Sequence, residues 1–302
     1  MIQKKALVLG GSGFLGSHVA DALSEAGFDV TIFDLEKSRH KQSSQRMVIG
    51  NILDATLLTS VTMGHDYVFN FAGLSDMDDA KDRPYDTVQL NVMGNINALE
   101  AARVAQVKRF VFASSVYVFS ECGSFYRASK QSAERFIEAY YERYKLPYTI
   151  LRYGSLYGRR ADHRNGIYRL LQQAYQQSTM VYRGSPDAMR EYIHVADAAR
   201  LTLDILDEKY SNRHIVLTGS ERLTVRNVMK MISEMLPGNI ALQFDHQKEY
   251  AHYEMTPYFF NPTIGHKLVS NDYIDLGQGL LDCLAEIHEA SLQQQVMETE
   301  DI

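Results

Sequence analysis

The stretch LVLGGSGFLGSHVADAL, residues 7–23, passes from an apolar run through a cluster of glycines into a helical pattern. It contains Gly11-x-Gly13-x-x-Gly16, and Gly10 adds an overlapping GxxGxxG register. Glycines at such a junction allow a tight turn and let the backbone approach a pyrophosphate closely. The helix that follows presents unpaired N–H groups and the positive end of its dipole. The spacing therefore predicts a dinucleotide site built from Gly10, Gly13, Phe14, Leu15 and Gly16. Asp34 ends the next apolar segment, DVTIFD. A carboxylate there accepts hydrogen bonds from an adenosine ribose and repels a 2′-phosphate. NAD is thus expected over NADP, with Lys37, Arg39 and Lys41 close by as the opposing signal.

Working outward, short β-branched runs alternate with helical patterns over the first two-thirds of the chain. Strands are expected at 5–10, 29–34, 46–51, 67–73, 109–115 and 148–154, with helices at 16–27, 91–106 and 127–145. This rhythm is that of βαβ units, so the fold class is α/β with a doubly wound parallel sheet of the Rossmann type. After 154 the pattern changes to helices at 165–177, 194–210 and 224–236 and strands at 179–184, 214–219 and 239–245. Residues 1–160 are read as the nucleotide domain and 161–302 as a smaller mixed α/β substrate-binding domain. The helix near 192–210 is expected to pack back onto the first domain. The polar end, 290–302, is expected to fray.

Ligands of open α/β sheets sit at the carboxyl ends of strands. By that rule Asn51 and Ile52 fall near the adenine, and Phe71, Ala72 and Gly73 along the cofactor.

Composition narrows the classes. The 302 residues are 45% hydrophobic and 23% charged with a net charge of −6, as for an ordinary globular chain and against a nucleic-acid or anionic-membrane partner. No apolar run reaches membrane-span length, and the N-terminal one is too short for a signal peptide, so a cytoplasmic chain is expected. Two cysteines, Cys122 and Cys283, make no disulfide framework. No HExxH or CxxC pair occurs, and His246, Glu249 and His252 in DHQKEYAHYE read as a solvated segment, so no metal is expected.

A second stretch carries the chemistry: SSVYVFSECGSFYRASK, 114–130. Tyr126 and Lys130 are spaced i, i+4 and share a helix face. An ammonium beside a phenol favours the phenolate, lowering the phenol from its usual pKa of about 10 towards working pH. Tyr126 is then a general base for a hydroxyl and the acid for the reverse step. Ser115, ending the preceding strand, can hold the same substrate oxygen.

Together GGSGFLG, NVMGNINALEAA, FASSVYVFS, YRASK, LRYGSLYG and REYIHVADAA resemble the extended short-chain dehydrogenases/reductases, in particular their NAD-dependent epimerase/dehydratase branch acting on nucleotide-sugars. The resemblance covers nearly the whole chain. It implies Ser115, Tyr126 and Lys130 as the catalytic set, with Lys130 also on the nicotinamide ribose. It implies that Asn91 seats the active-site helix and cofactor, and that Tyr153 lies near the nicotinamide. Asn165 and Arg190 resemble residues that bind the substrate diphosphate, and Tyr182 one near its base. Plainer roles stand beside these: Asn165 as a helix cap, Arg190 as a surface ion pair, Tyr182 as core and His194 as structural. A homodimer through helices 91–106 and 127–145 is also implied.

The departures fall on the sugar side. Phe119 and Ser120 stand where the family strand usually has Tyr and Gly. Val116 and Tyr117 occupy the places where dehydratases of the family carry an Asp-Glu pair, which counts against dehydration. The missing glutamate likewise counts against the usual UDP-glucuronate decarboxylases. Glu121 is the nearest carboxylate. The loop before Tyr126 is short, and Ser155 replaces an asparagine that contacts the sugar in relatives. The expectation is an NAD-dependent nucleotide-sugar epimerase, at C4, working through a 4-keto intermediate. An NAD(P)-dependent reductase or dehydrogenase, or a non-catalytic NAD sensor, are the alternatives.

Overall fold

The structure is a computed structural model that describes residues 3–245, 266–268 and 272–300. His246, Glu249 and His252 lie outside the described residues. The chain begins with β1 (Lys5–Leu9), α1 (Phe14–Glu25), β2 (Asp29–Asp34), β3 (Arg46–Ile49), α2 (Ala55–Thr62) and β4 (Tyr67–Asn70). Two short helices follow, α3 (Met77–Lys81) and α4 (Pro84–Val88), then a π turn at Gln89–Met93 that leads into α5 (Gly94–Val104). β5 (Arg109–Ser115), a 3₁₀ turn at Val116–Phe119, α6 (Ser124–Tyr144) and β6 (Tyr148–Tyr153) complete this part.

The strand order β3-β2-β1-β4-β5-β6 reverses direction between β1 and β4, and every pairing is parallel. The runs are apolar throughout because both faces are covered. In β1, Ala6 and Val8 face one core with Val19, Ala20 and Leu23 of α1, while Leu7 and Leu9 face another with Ala98 and Leu99 of α5. β5 divides likewise, Val111 and Ala113 to the first core and Phe110 and Phe112 to the second.

The second half contributes β7 (Ser155–Tyr157), α7 (Gly166–Gln177), β8 (Thr179–Arg183), β9 (Met189–His194), α8 (Val195–Asp204), β10 (Arg213–Leu217), β11 (Arg222–Thr224), α9 (Val225–Met235), β12 (Ala241–Asp245), β13 (His266–Leu268) and α10 (Leu276–Glu300). α8 shares a core through Ala198, Ala199 and Leu201 with Val19 and Leu23 of α1. It is shorter than 194–210, giving way to a 3₁₀ turn at Glu208–Tyr210.

Two expectations need correction. Strand 214–219 falls within 161–302 by the sequence pattern, yet β10 pairs with β6 and carries β13 beyond it, extending the large sheet to eight strands. Ile215 and Leu217 join the same core as Leu151 and Tyr153, so this edge of β6 is covered rather than exposed. The tail does not lose its structure at 290, since α10 is helical to Glu300. Leu280, Cys283, Leu284 and Ile287, at helical spacing, anchor it in a third core with Ile167, Leu171, Val228 and Met229.

The smaller sheets, β11-β9-β7 and β12-β8, stand beside that third core. Among the described residues no helix is long and apolar enough to cross a membrane.

Candidate active site

The glycine loop is shaped by backbone contacts that leave no room for side chains. Gly10 has φ +77°, and a Cβ there would lie 2.6 Å from the Ala72 nitrogen. At Gly16 a Cβ would lie 2.2 Å from the Gly10 carbonyl oxygen. α1 starts at Phe14 with Gly13 as its N-cap, without a side-chain cap and without an acidic residue in the first turn. The N–H groups of Phe14, Leu15 and Gly16 therefore point at an anion site that no side chain of the helix fills. Asp34 fastens the loop from β2, its Oδ2 accepting the Ser12 N–H at 2.8 Å. A cradle that only glycine fits, an uncapped helix start and a carboxylate at the end of β2 match the needs of a dinucleotide.

The adenine-side candidates divide. Asn51 is exposed, and its Oδ1 accepts the Leu53 N–H at 2.9 Å. Ile52 is buried among the residues of the second core, against Gly94. Phe71 and Ala72 are half-buried beside Gly10, and Gly73 takes φ +146° with Asn91 Oδ1 2.4 Å from where its Cβ would stand. Asn91 sits in the π turn, a distortion that often marks functional sites. Its Oδ1 accepts the Leu74 N–H at 2.7 Å and its Nδ2 donates to Leu74 O at 3.0 Å and Ser129 Oγ at 2.9 Å. It thus joins the loop after β4 to α6.

The catalytic candidates converge where β5 meets α6. Ser115 caps the 3₁₀ turn, its Oγ accepting the Tyr117 N–H at 3.3 Å. Gly123, at φ +100°, then opens α6 directly, and a Cβ there would lie 3.0 Å from Tyr117 Cδ1. This tight connection brings Tyr126, in the first turn of α6, into a hydrogen bond with Ser115. The Lys130 ammonium donates to Ala113 O at 2.8 Å and lies 5.8 Å from the Tyr126 ring centroid.

The direction of the tyrosine shift corrects the sequence reading. Burial raises the Tyr126 phenol to about 12, against a smaller lowering by Ser115. Lys130 is itself pushed down to about 8 by burial. The i, i+4 spacing does put both side chains on one face. However, the low polarity around a phenol that is 9% exposed disfavours the phenolate, and the Ser115 hydrogen bond offsets only part of that.

A cavity of about 840 Å³ opens beside this junction. Ser115, Tyr117, Tyr126, Ser155, Asn165, Tyr182 and Arg190 are all among its lining. The four substrate-side candidates therefore share one space with Ser115 and Tyr126. Asn165 is also the helix cap, its Oδ1 accepting the N–H groups of Ile167 and Tyr168 at 3.0 and 3.1 Å. Arg190 is 6% exposed, so it is not a surface ion pair, and its Nη1 donates to Met189 O at 2.9 Å. Tyr182 is half-buried against the third core. Tyr153 lies in the first core, its hydroxyl sharing a 2.6 Å hydrogen bond with Thr202 of α8. His194 caps α8, its Nδ1 accepting the Ala196 N–H at 3.3 Å.

Sequence reasoning missed part of the lining. Ser75, Asp76, Asp78 and Lys81, on and before α3, also border the cavity. Arg164, Arg169 and Arg183 also line it, and Arg169 Nη2 approaches Asp78 Oδ2 at 4.0 Å across the mouth. Arg169 follows Asn165 by one helical turn, a signal readable from spacing, whereas nothing local marks the loop after β4.

A model of the NAD dependent epimerase/dehydratase family matches residues 6–218. A UDP-N-acetyl-alpha-D-glucosaminuronate decarboxylase of Bacillus cytotoxicus is 28% identical over 262 residues, covering 78% of this chain and 81% of the relative. A UDP-glucose 4-epimerase of Corynebacterium glutamicum is 27% identical over 273 residues, covering 78% and 83%. Among solved structures, UDP-glucuronic acid 4-epimerase from Bacillus cereus, in complex with UDP-glucuronic acid and NAD, superposes with a TM-score of 0.82. That match is 21% identical and covers 95% of this chain and 99% of the other, a likeness of fold.

Proposed function

The chain belongs to the NAD-dependent epimerase/dehydratase family, and from that premise we propose that it is a nucleotide-sugar epimerase acting at C4 through a 4-keto intermediate. The observation that carries this reading is the shared cavity of about 840 Å³, lined by Ser115 and Tyr126 together with Asn165, Tyr182 and Arg190. Val116 and Tyr117 supply no carboxylate at the turn after Ser115, which favours epimerisation over dehydration.

Gly10, Gly13 and the first turn of α1 would hold the NAD pyrophosphate, Asp34 the adenosine ribose and Lys130 the nicotinamide ribose. When bound, NAD supplies a reversible hydride acceptor and a cationic ring whose field opposes the burial that keeps Tyr126 protonated. Tyr126 takes the proton of the C4 hydroxyl and returns it once the sugar has turned over in the cavity. Ser115 holds that oxygen throughout. Arg190 and Asn165 hold the diphosphate, which anchors the substrate while the sugar rotates. Residues 1–160 serve the cofactor, and the elements around the third core serve the substrate.

The test is incubation with UDP-glucose, UDP-N-acetylglucosamine and UDP-glucuronic acid in turn, followed by NMR of the sugar. The C4 epimer should form with no net change in NADH absorbance. Stoichiometric NADH formation or consumption would replace this reading with a dehydrogenase or reductase. NAD binding without turnover of any of the three sugars would favour a sensor.

Arg190→Ala should weaken UDP binding about ten- to a hundredfold, the range of a lost charge-assisted hydrogen bond, with NAD affinity retained. Calorimetric titration with UDP measures it.

A homodimer through α5 and α6 is part of the proposal, supported by Met93, Val104, Phe136 and Tyr144, which are all exposed on or beside these helices. Sedimentation should give a dimer at micromolar concentration, and Phe136→Glu should convert it to monomer. A native chain that sediments as monomer refutes the pairing.

A further inference from the structure

Directly behind the catalytic set lies a second group of polar side chains that the proton chemistry does not use. Glu134 follows Lys130 by one turn of α6, so Tyr126, Lys130 and Glu134 succeed one another on one helix face. Glu134 is 4% exposed. Its Oε1 accepts from Ser114 Oγ at 2.6 Å and from Arg152 Nε at 3.0 Å, and its Oε2 accepts from Arg152 Nη2 at 2.6 Å. The Arg152 guanidinium, also buried, lies 4.6 Å from the Phe119 ring centroid.

The partners are placed tellingly. Ser114 precedes Ser115 on β5, Arg152 precedes Tyr153 on β6, and Phe119 ends the turn that Ser115 caps. One carboxylate therefore fastens α6 to both strands and indirectly to the turn, at the level of the reacting groups. Stability is a weak reason for such a pair, because desolvation consumes most of the Coulombic gain and an apolar pair of equal volume serves as well.

We propose that Glu134, fixed by Arg152 and Ser114, is a positioning residue that holds Lys130 against β5 and keeps it cationic beside Tyr126. This deepens the reading of Tyr126 and Lys130 as the proton-transfer pair and rests on it. Burial would raise Glu134, but hydrogen bonds from Arg152 and Ser114, with His214 close by, hold it at about 2, so it is ionised at working pH. Burial draws Lys130 down, and the Glu134 charge pulls it back up. Lys130 itself faces Tyr126 on α6 and, from β5, the Ala113 carbonyl and the Phe112 ring, 4.8 Å from the ammonium. The other charged groups surround Glu134, with Arg152 coming from β6. On β10, His214 reaches Glu138 Oε1 at 3.0 Å and Glu134 Oε2 at 3.7 Å.

The experiment is a pH titration of the full chain carrying ¹³Cε-lysine, followed by NMR, with the Lys130 resonance assigned by its loss in Lys130→Met. In Glu134→Gln the Lys130 midpoint should fall by about one pH unit or more, about a tenfold loss of cation at fixed pH above it. Glu134→Gln leaves Arg152 without its partner, so Glu134→Met/Arg152→Met is measured as well. With no unpaired buried charge it should fold, as judged by circular dichroism, and show a smaller fall, because the opposing Arg152 cation is removed with the carboxylate. A Lys130 midpoint that stays native in either folded variant overturns the proposal and leaves the pair as packing. Tyr126→Phe is assayed alongside. Turnover surviving that change sinks the proton-transfer reading, while the Lys130 titration, which needs no substrate, still decides the role of Glu134.

Discussion

Tyr126→Phe is expected to lower turnover by about two to four orders of magnitude, the share of a positioned general base, while NAD affinity stays nearly native. The substitution keeps the ring that packs edge-on against Tyr117, with centroids 6.4 Å apart, and removes the hydroxyl and its bond to Ser115. Its stability cost is one hydrogen bond, about 0.5–1.5 kcal/mol at neutral pH. The pH dependence gives a second signature. The folded phenol is raised to about 12, so the folded state favours the protonated form. That contribution is fully present below the unfolded pKa of about 10 and is lost as pH rises through about 12. The Phe variant should therefore lose less stability than the native chain between about pH 10 and 12. Steady-state assays with the sugar pair, NAD titration and alkaline melting curves check the three statements. Turnover within tenfold of native would remove Tyr126 from the mechanism.

Much of this site was readable in the chain because its parts are local. The glycine loop between β1 and α1 and the Tyr126–Lys130 spacing on α6 each depend on a few consecutive residues, whereas β3 and β4 stop at Ile49 and Asn70, short of the expected 51 and 73. What was missed depends on contacts between distant segments. Ser75–Lys81 lines the cavity only because the loop after β4 is brought beside Ser115 and Tyr126, and no periodicity announces that contact. β10 joins the large sheet because β6 offers it an edge, which is a property of β6 and not of HIVLTG itself. The tyrosine shift was misjudged for the same reason. Spacing reveals the neighbouring ammonium, whereas burial comes from the surrounding fold. Glu134 is an intermediate case. Its position one turn beyond Lys130 is plain in YRASKQSAE, but its meaning needs Arg152 from β6 and Ser114 from β5.

The largest effect on cofactor binding should come from Gly16→Ala. The added Cβ would stand 2.2 Å from the Gly10 oxygen, 2.9 Å from the Gly10 carbonyl carbon and 3.0 Å from Gly11 Cα. All three are backbone atoms, so no side chain can turn aside, and the loop must move off α1. That motion is resisted on its other side, where Gly10 already packs on the backbone of Phe71 and Ala72. It would strain the Gly13 N–H to Gly10 O bond of 3.2 Å and the Ser12 N–H to Asp34 bond together. The stability cost should be that of overpacking, about 1–3 kcal/mol. NAD affinity should fall by about a hundredfold or more, since a loop displaced by one ångström loses several pyrophosphate contacts at once. Gly27→Ala separates the two effects. Gly27 has φ +84° and open space around its Cβ position, so alanine there carries only the left-handed penalty of about 1–2 kcal/mol. It should melt earlier yet bind NAD as the native chain does. If both variants lose NAD equally, general destabilisation explains the loss. If Gly16→Ala binds NAD normally, the pyrophosphate does not rest on this loop, and the reading of residues 7–23 fails with it.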